Sequence, residues 1–298
     1  MRQAHIIYNP EAGNKELTKE KLMALIEAEG FKCGYSSTKE EDEITISDDT
    51  EFLIVAGGDG TVRKVAMKLL KGKWKEKNLP IALLPIGIAN NIAKTLQIKG
   101  TPEAIIQSWN NSTIKKYDVG FVEDTPGADF FLESIGFGLF PYLMRKMSRI
   151  EEETSLSSDE SLETATRMLL EIIPEYDAHN CDIRIDGHEL SGKFLMVEIM
   201  NIRSMGPNLN LAPFAEVSDG MLDVILIPET QREKLASYIV ARLEGSSNGN
   251  SFQMLPAKKI IINWHSKHGH ADDEQLTLEK KTEMKIEVKR GALDFLVP

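Results

Sequence analysis

Three glycines surround one aspartate in Gly57-Gly58-Asp59-Gly60-Thr61, directly after the apolar run Phe52 to Ala56. Such a run is typical of a buried strand, and helical spacing follows from Lys64 to Leu70. A strand, a glycine turn and a helix start form an anion site, because glycine lets the backbone approach a ligand and the first helical N–H groups point at it. A carboxylate facing a polyphosphate would repel it unless a cation lies between them. The stretch therefore predicts a magnesium-dependent nucleotide site.

A second glycine turn, Pro85 to Asn91, lies between the apolar run Pro80 to Leu84 and the segment Ile92 to Leu96. Before both turns, a strand from Ala4 to Tyr8 and an amphipathic helix from Lys15 to Glu29 continue the alternation of strand and helix. This alternation predicts a parallel sheet with helices on both faces. Both glycine turns follow strand ends, where open α/β sheets bind their ligands.

Strands predominate after Lys116, and turn residues divide them. The predicted strands are Tyr117–Val122, Phe130–Ile135, Cys181–Ile185, Phe194–Met200, Met221–Ile227, Ile260–Trp264, Met284–Val288 and Leu293–Val297. One helix, from about Ser161 to Ile173, interrupts them, and Gly245 to Ser251 is typical of a flexible loop. This order predicts a second, mainly antiparallel β domain, a sandwich.

Composition excludes several classes of protein. The chain has 298 residues, 42% of them hydrophobic, which indicates one large or two smaller globular domains. A net charge of -11 argues against a nucleic-acid partner. Two distant cysteines, Cys33 and Cys181, form no disulfide framework and no thiolate zinc motif, which favours a reducing cytoplasm. The sequence shows no signal peptide and no apolar run near the length that spans a membrane, so we expect any membrane contact to be peripheral.

Both glycine turns and several later motifs resemble the bacterial diacylglycerol kinase and lipid kinase family, which is related to sphingosine kinases. The matching motifs follow the family's order over nearly the whole chain. They are Asn9-Pro10 with Gly13, Gly57 to Thr61, Pro85 with Gly87, Ala89 and Asn90, Ile135 to Gly138, Ala212-Pro213, Ser218 to Asp223, and Asp272 with Glu274. GGDGT alone also occurs in NAD kinases and, in a related form, in phosphofructokinases.

The resemblance implies an α/β nucleotide domain, residues 1–118, to which 285–298 could belong, and a β-sandwich lipid domain, residues 119–284. It implies transfer of the γ-phosphoryl group of ATP to a lipid hydroxyl of diacylglycerol type, in a cleft between the domains. ATP and Mg²⁺ are the expected cofactors, and a lipid at the membrane surface is the expected partner. The protein would be cytoplasmic, with transient membrane contact, and a homodimer is left open.

The resemblance also implies roles for individual residues. Asp272 would be the base that takes the proton from the lipid hydroxyl, and Asp59 and Glu274 would serve the magnesium network. The expected nucleotide-binding residues are Asn9, Thr38, Gly57, Gly58, Asp59, Gly60, Thr61, Arg63, Gly87, Ile88, Asn90 and Asn91. A structural magnesium ion would be bound by the Asp219 carboxylate and by the backbone carbonyls of Glu216 and Met221.

The chain departs from the family pattern at three of these positions. Arg63 replaces an asparagine, Ile88 a threonine hydroxyl and Asn91 a carboxylate of the magnesium network. Arg63 could supply some of the lost positive field beside the phosphates. Two other functions therefore stay open: a catalytically weakened homologue that binds nucleotide or lipid, and a soluble-substrate kinase of NAD-kinase type.

Structural alternatives exist for the remaining candidates. Asp59 could form an Asx turn, Asp272 could be a surface turn residue, and Asp219 could belong to a hairpin. His265, His268 and His270 suggest zinc by residue type, but their order matches no known zinc motif. A group of apolar side chains after Gly136 could line an acyl-chain pocket or be plain core. These are Phe137, Leu139, Phe140, Met144 and Met147.

Overall fold

The computed structural model describes residues 2–12, 17–40, 44–72, 74–123, 125, 127–154, 156–246, 252–279 and 282–298. Gly13 of the Asn9-Pro10 motif, the start of the helix predicted from Lys15, and most of the loop predicted from Gly245 lie outside these residues. The chain divides into two compact units, Met1–Tyr117 with Gly291–Pro298, and Asp118–Arg290.

The first unit alternates strand and helix. Its elements are β1 (Gln3–Tyr8), α1 (Lys19–Ala28), β2 (Lys32–Ser37), β3 (Phe52–Gly57), α2 (Asp59–Leu70), β4 (Ile81–Pro85), α3 (Asn91–Thr95), α4 (Pro102–Ser108) and the start of β5 (Thr113–Glu123). Short 3-10 turns lie at Thr38–Glu40, Lys75–Lys77 and Trp109–Asn111. Neighbouring strands run parallel in the order β2, β1, β3, β4.

The parallel sheet is apolar because both of its faces are covered. All six residues of β3 are buried, as are the first four of β4. Near the amino ends of β2 and β3, the rings of Phe31, Phe52 and Trp109 pack edge to face, with centroids 5.6–6.2 Å apart. Helix α1 begins where the Thr18 hydroxyl accepts the Lys21 N–H. The sheet thus holds the carboxyl ends of β3 and β4, which carry the two glycine turns, side by side.

The second unit is built on antiparallel strands with three helices. After β5 its elements are β6 (Phe130–Phe131), β7 (Ser134–Gly138), α5 (Leu139–Glu153), α6 (Ser158–Ile172), β8 (His179–Ile185), β9 (His188–Met200), β10 (Leu222–Pro228), α7 (Arg232–Leu243), β11 (Met254–Ala257), β12 (Lys259–Trp264), β13 (His268–Ala271), β14 (Glu274–Thr277) and β15 (Thr282–Val297). Its strand order is β14, β13, β7, β9, β8, β12, β15, and β10 pairs with β9 and β11.

Several predictions for this half need correction. Helices α5 and α7 and the short strands β11, β13 and β14 were not expected, and the predicted strand Phe130–Ile135 is divided between β6 and β7. The predicted strands Met284–Val288 and Leu293–Val297 are one strand, β15, which contains Gly291 at a φ of 57°. The end of β15 pairs in parallel with β4 through Phe295 and Leu296.

Candidate functional site

The first glycine turn forms the start of α2. The helix begins at Asp59, earlier than the sequence indicated, and its N-cap residue Gly58 has no side chain to accept the first helical N–H groups. The Thr61 N–H already bonds to the Gly58 carbonyl at 2.9 Å. A helix start without a side-chain cap favours an anion, because its N–H groups and dipole present positive charge there.

The second glycine turn lies against the first. A Cβ on Gly87 would lie 2.3 Å from the Cα of Gly58, so the two backbones approach at a distance that only glycine allows. The Ile86 N–H donates to the Gly57 carbonyl at 3.2 Å. Asn90, at a φ of 50°, closes its own turn because its side chain accepts the Gly87 N–H at 3.0 Å and donates to the Gly87 carbonyl at 2.8 Å.

The Asp59 carboxylate connects the two turns. Its Oδ2 accepts the N–H of Asn91 at 2.8 Å, and its Oδ1 accepts the N–H of Ile92 at 3.1 Å. Asp59 therefore caps the start of α3, although it lies in the first turn of α2. This geometry leaves the start of α2 to an anion and places the negative charge on the neighbouring helix.

A chain of polar side chains borders the first turn. The Asn9 side chain donates to the Thr61 hydroxyl at 3.3 Å and lies 3.5 Å from the Thr38 hydroxyl. The Asn9 backbone N–H is held by the Ala56 carbonyl at 2.9 Å. The structure thus brings together three of the predicted nucleotide-binding residues from three different strand ends.

The three positions that depart from the family pattern differ in exposure. Ile88 is 49% exposed at the second turn, whereas Asn91 is 3% exposed at the start of α3. Arg63 is half-buried on α2. Ile88 is therefore the departure whose side chain is most open to a ligand.

In the second unit, Asp272 caps the break between β6 and β7. Its Oδ1 accepts the N–H of Glu133 at 2.7 Å and of Ser134 at 3.3 Å, and the Leu132 N–H lies 3.0 Å from both carboxylate oxygens. Asp272 is 8% exposed and has a φ of 53°. Glu274 lies two residues later, exposed at the start of β14. The strand predicted through Phe130–Ile135 breaks because these N–H groups turn to a carboxylate.

A buried acid that was assigned no role from the sequence, and a buried histidine, considered there only as a zinc candidate, lie beside Asp272. His270 Nδ1 lies 2.9 Å from the Asp272 carbonyl oxygen, and His270 Nε2 lies 3.0 Å from Glu198 Oε2. Burial raises the pKa of Glu198. Burial alone would lower the pKa of His270, but the Glu198 charge and hydrogen bonds raise it above its usual value. The signal in the sequence was one acid within the apolar strand Phe194–Met200.

The predicted structural magnesium site has the form of a tight turn. The Asp219 carboxylate accepts the Met221 N–H at 2.9 Å, and the Glu216 carbonyl accepts the Asp219 N–H at 3.4 Å. Burial and then the charge of Asp219 raise the pKa of Asp223 to about 6. Within the described residues, no group of three or more His, Cys, Asp or Glu side chains could hold a metal ion.

The three histidines near Asp272 have different partners. His265 contacts Asp182 at 3.1 Å, His268 contacts Arg145, and both ring nitrogens of His270 are engaged as described above. The apolar residues after Gly136 pack into the core. Phe137, Leu139, Phe140 and Met147 are buried, and Met144 packs against the cluster that contains the last three.

Residues 3–122 match the family described as "Diacylglycerol kinase catalytic domain", and residues 153–297 match the "YegS C-terminal NAD kinase beta sandwich-like domain". Residues 3–122 thus form a diacylglycerol kinase catalytic domain. This match confirms the resemblance predicted from the motifs and the predicted enzyme class, a phosphotransferase of the kinase type.

Relatives of this family match nearly the whole chain. A "Probable lipid kinase YegS-like" of Pseudomonas aeruginosa is 27% identical over 306 residues, which cover 98% of this chain and 93% of the relative. A "Diacylglycerol kinase" of Bacillus subtilis is 26% identical, with 88% of this chain and 86% of the relative covered.

Solved structures show the same fold. The crystal structure of a diacylglycerol kinase from Bacillus anthracis has a TM-score of 0.71 at 20% identity and covers 100% of this chain and 97% of its own. An NAD kinase from Archaeoglobus fulgidus in complex with ATP has a TM-score of 0.53 at 14% identity, covering 98% and 92%. The predicted fold, an α/β unit followed by a β-sandwich-like unit, is confirmed.

Among the helices that the structure describes, none combines the length and the apolar character needed to cross a bilayer.

Proposed function

We propose that the protein is an ATP- and magnesium-dependent lipid kinase that phosphorylates a lipid hydroxyl of diacylglycerol type. The match of residues 3–122 to the diacylglycerol kinase catalytic domain carries this proposal. The relatives named as lipid and diacylglycerol kinases support the substrate class. The uncapped start of α2, with Asp59 turned to α3, supports a polyphosphate ligand.

In this proposal the first unit binds ATP. The N–H groups at the start of α2 bind phosphate oxygens, and the close approach of Gly58 and Gly87 leaves room for them. Asn9, Thr38 and Thr61 border the ligand from neighbouring strand ends. Phosphoryl transfer depends on positioning and charge neutralisation, which such a cradle can supply.

The second unit supplies the base. The lipid hydroxyl oxygen forms a bond to the γ-phosphorus, the bond from that phosphorus to the bridging β,γ-oxygen breaks, and ADP leaves. The hydroxyl proton passes to the Asp272 carboxylate. An aspartate can serve as this base because the proton moves late, when bond formation has already acidified the hydroxyl.

Magnesium would neutralise charge on the phosphates when bound. The chemistry of the donor set fits it: carboxylate and amide oxygens are the ligands that Mg²⁺ prefers, and Asp59 and Asn91 meet at the start of α3. Glu274 is the further oxygen donor that the resemblance implies for magnesium. The Asp219 turn, with the carbonyls of Glu216 and Met221, would hold a second, structural ion. Asp219 there uses one oxygen for the Met221 N–H.

The test is phosphate transfer from labelled ATP to a panel of lipid alcohols and to NAD, with and without EDTA. We expect a phosphorylated lipid product that requires Mg²⁺. Asp272→Ala should lower kcat by about 10²- to 10⁴-fold, the usual contribution of a general base. Turnover of NAD without any lipid product would contradict the proposal. Nucleotide binding with no product would instead favour a weakened homologue, the alternative suggested by Ile88, Asn91 and Arg63.

We propose that this kinase works in the cytoplasm and contacts the membrane surface transiently through Phe214. This ring is 81% exposed, although its loop is fixed by a bond from the Ala212 N–H to the Arg203 carbonyl and by one from Arg203 Nε to the Ala215 carbonyl. Burying such a side chain in lipid is worth about 1.5–3 kcal/mol.

Sedimentation with zwitterionic vesicles tests the membrane contact, because the chain's charge of -11 would be repelled by anionic ones. Phe214→Ser should lower the bound fraction several-fold. Leu190→Ser, at a position 40% exposed on β9, is the matched control and should bind like the wild type. Equal binding of the Phe214 variant would exclude this side chain as the contact.

A further inference from the structure

Behind Asp272, three neighbouring strands bring an acid and a histidine together in the core. Gly136 on β7 pairs with Glu198 on β9 and, on its other side, with His270 on β13. A Cβ on Gly136 would lie 2.0 Å from the Glu198 carboxylate. The glycine therefore leaves the space through which the Glu198 side chain crosses β7 to reach His270.

The pair is fully buried, with Glu198 at 0% and His270 at 1% exposure. Buried ionisable pairs seldom add stability, because the loss of hydration offsets their attraction, and apolar residues of similar volume are often as good or better. The Phe140 ring packs against the imidazole in a T-shaped arrangement, with centroids 4.8 Å apart, which excludes water from this side. Packing alone thus gives no reason for an acid and an imidazole here.

The contacts fix where the protons lie. His270 Nδ1 faces the Asp272 carbonyl oxygen at 2.9 Å, and a carbonyl only accepts, so Nδ1 carries a hydrogen. On the other side, Nε2 lies 3.0 and 3.3 Å from the two Glu198 oxygens, so that contact holds one proton, on either atom. The pair is neutral as a whole, and the histidine always donates to the backbone of Asp272.

This donated bond acts on a strained residue. Asp272 has a φ of 53°, a conformation that is unfavourable outside glycine and needs support from its surroundings. Its N–H is held by the Ser134 carbonyl at 2.8 Å, and its own carbonyl is held by His270. Both peptide groups of Asp272 are thereby fixed, and the carboxylate direction follows from them.

We propose that Glu198 and His270 are positioning residues for Asp272: Glu198 orients the imidazole, and its Nδ1–H fixes the backbone from which the carboxylate extends. The inference rests on the proposed function, in which Asp272 is the base. Glu198 and His270 touch neither substrate in this scheme and act only through Asp272. A shift of about 1 Å in a catalytic group can cost about 10²-fold in rate, which sets the size of the expected effect.

Two substitutions of His270 separate positioning from packing. In His270→Asn the amide nitrogen takes the place of Nδ1, so the bond to the Asp272 carbonyl survives while Glu198 is left without its partner. In His270→Gln the amide nitrogen takes the place of Nε2, so the Glu198 contact survives while the bond to Asp272 is lost. Each variant keeps one of the two contacts.

We expect the two variants to rank in opposite orders by Tm and by kcat. His270→Asn should have the lower Tm, because the buried Glu198 loses the imidazole and keeps only the Ser134 side chain as a partner, yet it should keep kcat within about 10-fold of the wild type. His270→Gln should have the higher Tm of the two but lose about 10- to 100-fold in kcat, with the KM for ATP unchanged. If the variant with the lower Tm also has the lower kcat, Glu198 and His270 serve only core packing and the proposal fails.

Hydrogen exchange at the Leu132 and Glu133 amides, which donate to the Asp272 carboxylate, gives a readout that needs no catalysis. Protection should be lost in His270→Gln and kept in His270→Asn. If the wild type phosphorylates no lipid, the proposed function fails, and this exchange pattern still decides on positioning. Unchanged protection in His270→Gln would overturn the inference whatever the activity.

Discussion

Asp59 in the first unit and Asp272 in the second both bind backbone N–H groups, but they are supported differently. Asp59 receives two N–H groups from the start of α3, only 32–33 residues along the chain, and is half-buried. Asp272 receives its N–H groups from residues about 140 positions away and is 8% exposed.

This difference suits two kinds of work. A carboxylate at a helix start is held by the helix itself, and Asp59 is proposed to serve magnesium from that position. A carboxylate at a strand break has no helix behind it, so its direction depends on the packing of several strands. Glu198 and His270 supply that support for Asp272.

The largest expected effects come from replacing each aspartate with asparagine, which removes the charge and keeps the shape of the side chain. Asp272→Asn should lower kcat by about 10²- to 10⁴-fold with little change in the KM for MgATP, because a base is lost. Asp59→Asn should mainly raise the Mg²⁺ concentration needed for half-maximal rate. It should also cost about 0.5–2 kcal/mol of stability through the weakened cap on α3.

Steady-state kinetics across a Mg²⁺ titration and thermal unfolding of both variants check this division of roles. If Asp272→Asn also shifted the Mg²⁺ dependence, the two aspartates would share one metal network, and the contrast between them would not hold.

The next effect concerns the approach of the two glycine turns. Gly87→Ala places a methyl group 2.3 Å from the Gly58 Cα, so the turns must separate. Overpacking of this kind costs about 1–3 kcal/mol, and we expect the KM for ATP to rise about 10-fold or more.

Gly187→Ala is the control: its φ of 92° is strained, but no atom lies within 4 Å of the added Cβ. It should lower Tm modestly and leave the kinetic constants unchanged. Equal kinetics in both variants would mean that the turn spacing does not matter for ATP.

The sequence predicted the first of these regions better than the second, for a physical reason. A buried strand followed by glycines is a local pattern, so the turns at Gly57 and Gly87 could be read directly, although not the bond from Asp59 to α3. The surroundings of Asp272 come from β6, β7, β9 and β13, and no local pattern reports strand neighbours so distant in the chain. Helices α5 and α7 were missed although their apolar residues recur at helical spacing, with Pro141 in the first turn of α5 and Gly245 directly after the C-cap of α7.

A smaller effect tests whether the departure at Ile88 matters. Ile88→Thr restores the hydroxyl of the family pattern at a position that is 49% exposed, so folding should not change. If that hydroxyl reaches the nucleotide, one hydrogen bond of about 0.5–1.5 kcal/mol should tighten ATP binding about 2- to 10-fold. Ile88→Val has the shape of threonine without the hydroxyl and separates size from bonding. Calorimetric titration with ATP measures both variants, and equal affinities would show that this side chain does not face the nucleotide.

The smallest effect compares two buried histidines. His5, on β1 of the first unit, lies 2.9 Å from the Ser36 hydroxyl, and burial lowers its pKa below 6.5. The unfolded chain therefore binds this proton more readily than the folded one. The stability due to neutral His5 is present above pH 6.5 and is lost as pH falls below that value, by at most about 1.4 kcal/mol per pH unit. The pKa of His270 is shifted in the opposite direction, because Glu198 raises it.

Urea unfolding at several pH values between 5 and 7.5, with the wild type and His5→Asn, measures this contribution. The variant should lose stability less steeply below pH 6.5, since it has no imidazole to protonate on unfolding. His270→Asn should not flatten the slope in the same way, because the folded state already holds a proton in the pair. Equal slopes for wild type and His5→Asn would show that His5 can be protonated inside the fold. The difference between His5 and His270 would then not come from the Glu198 carboxylate beside His270.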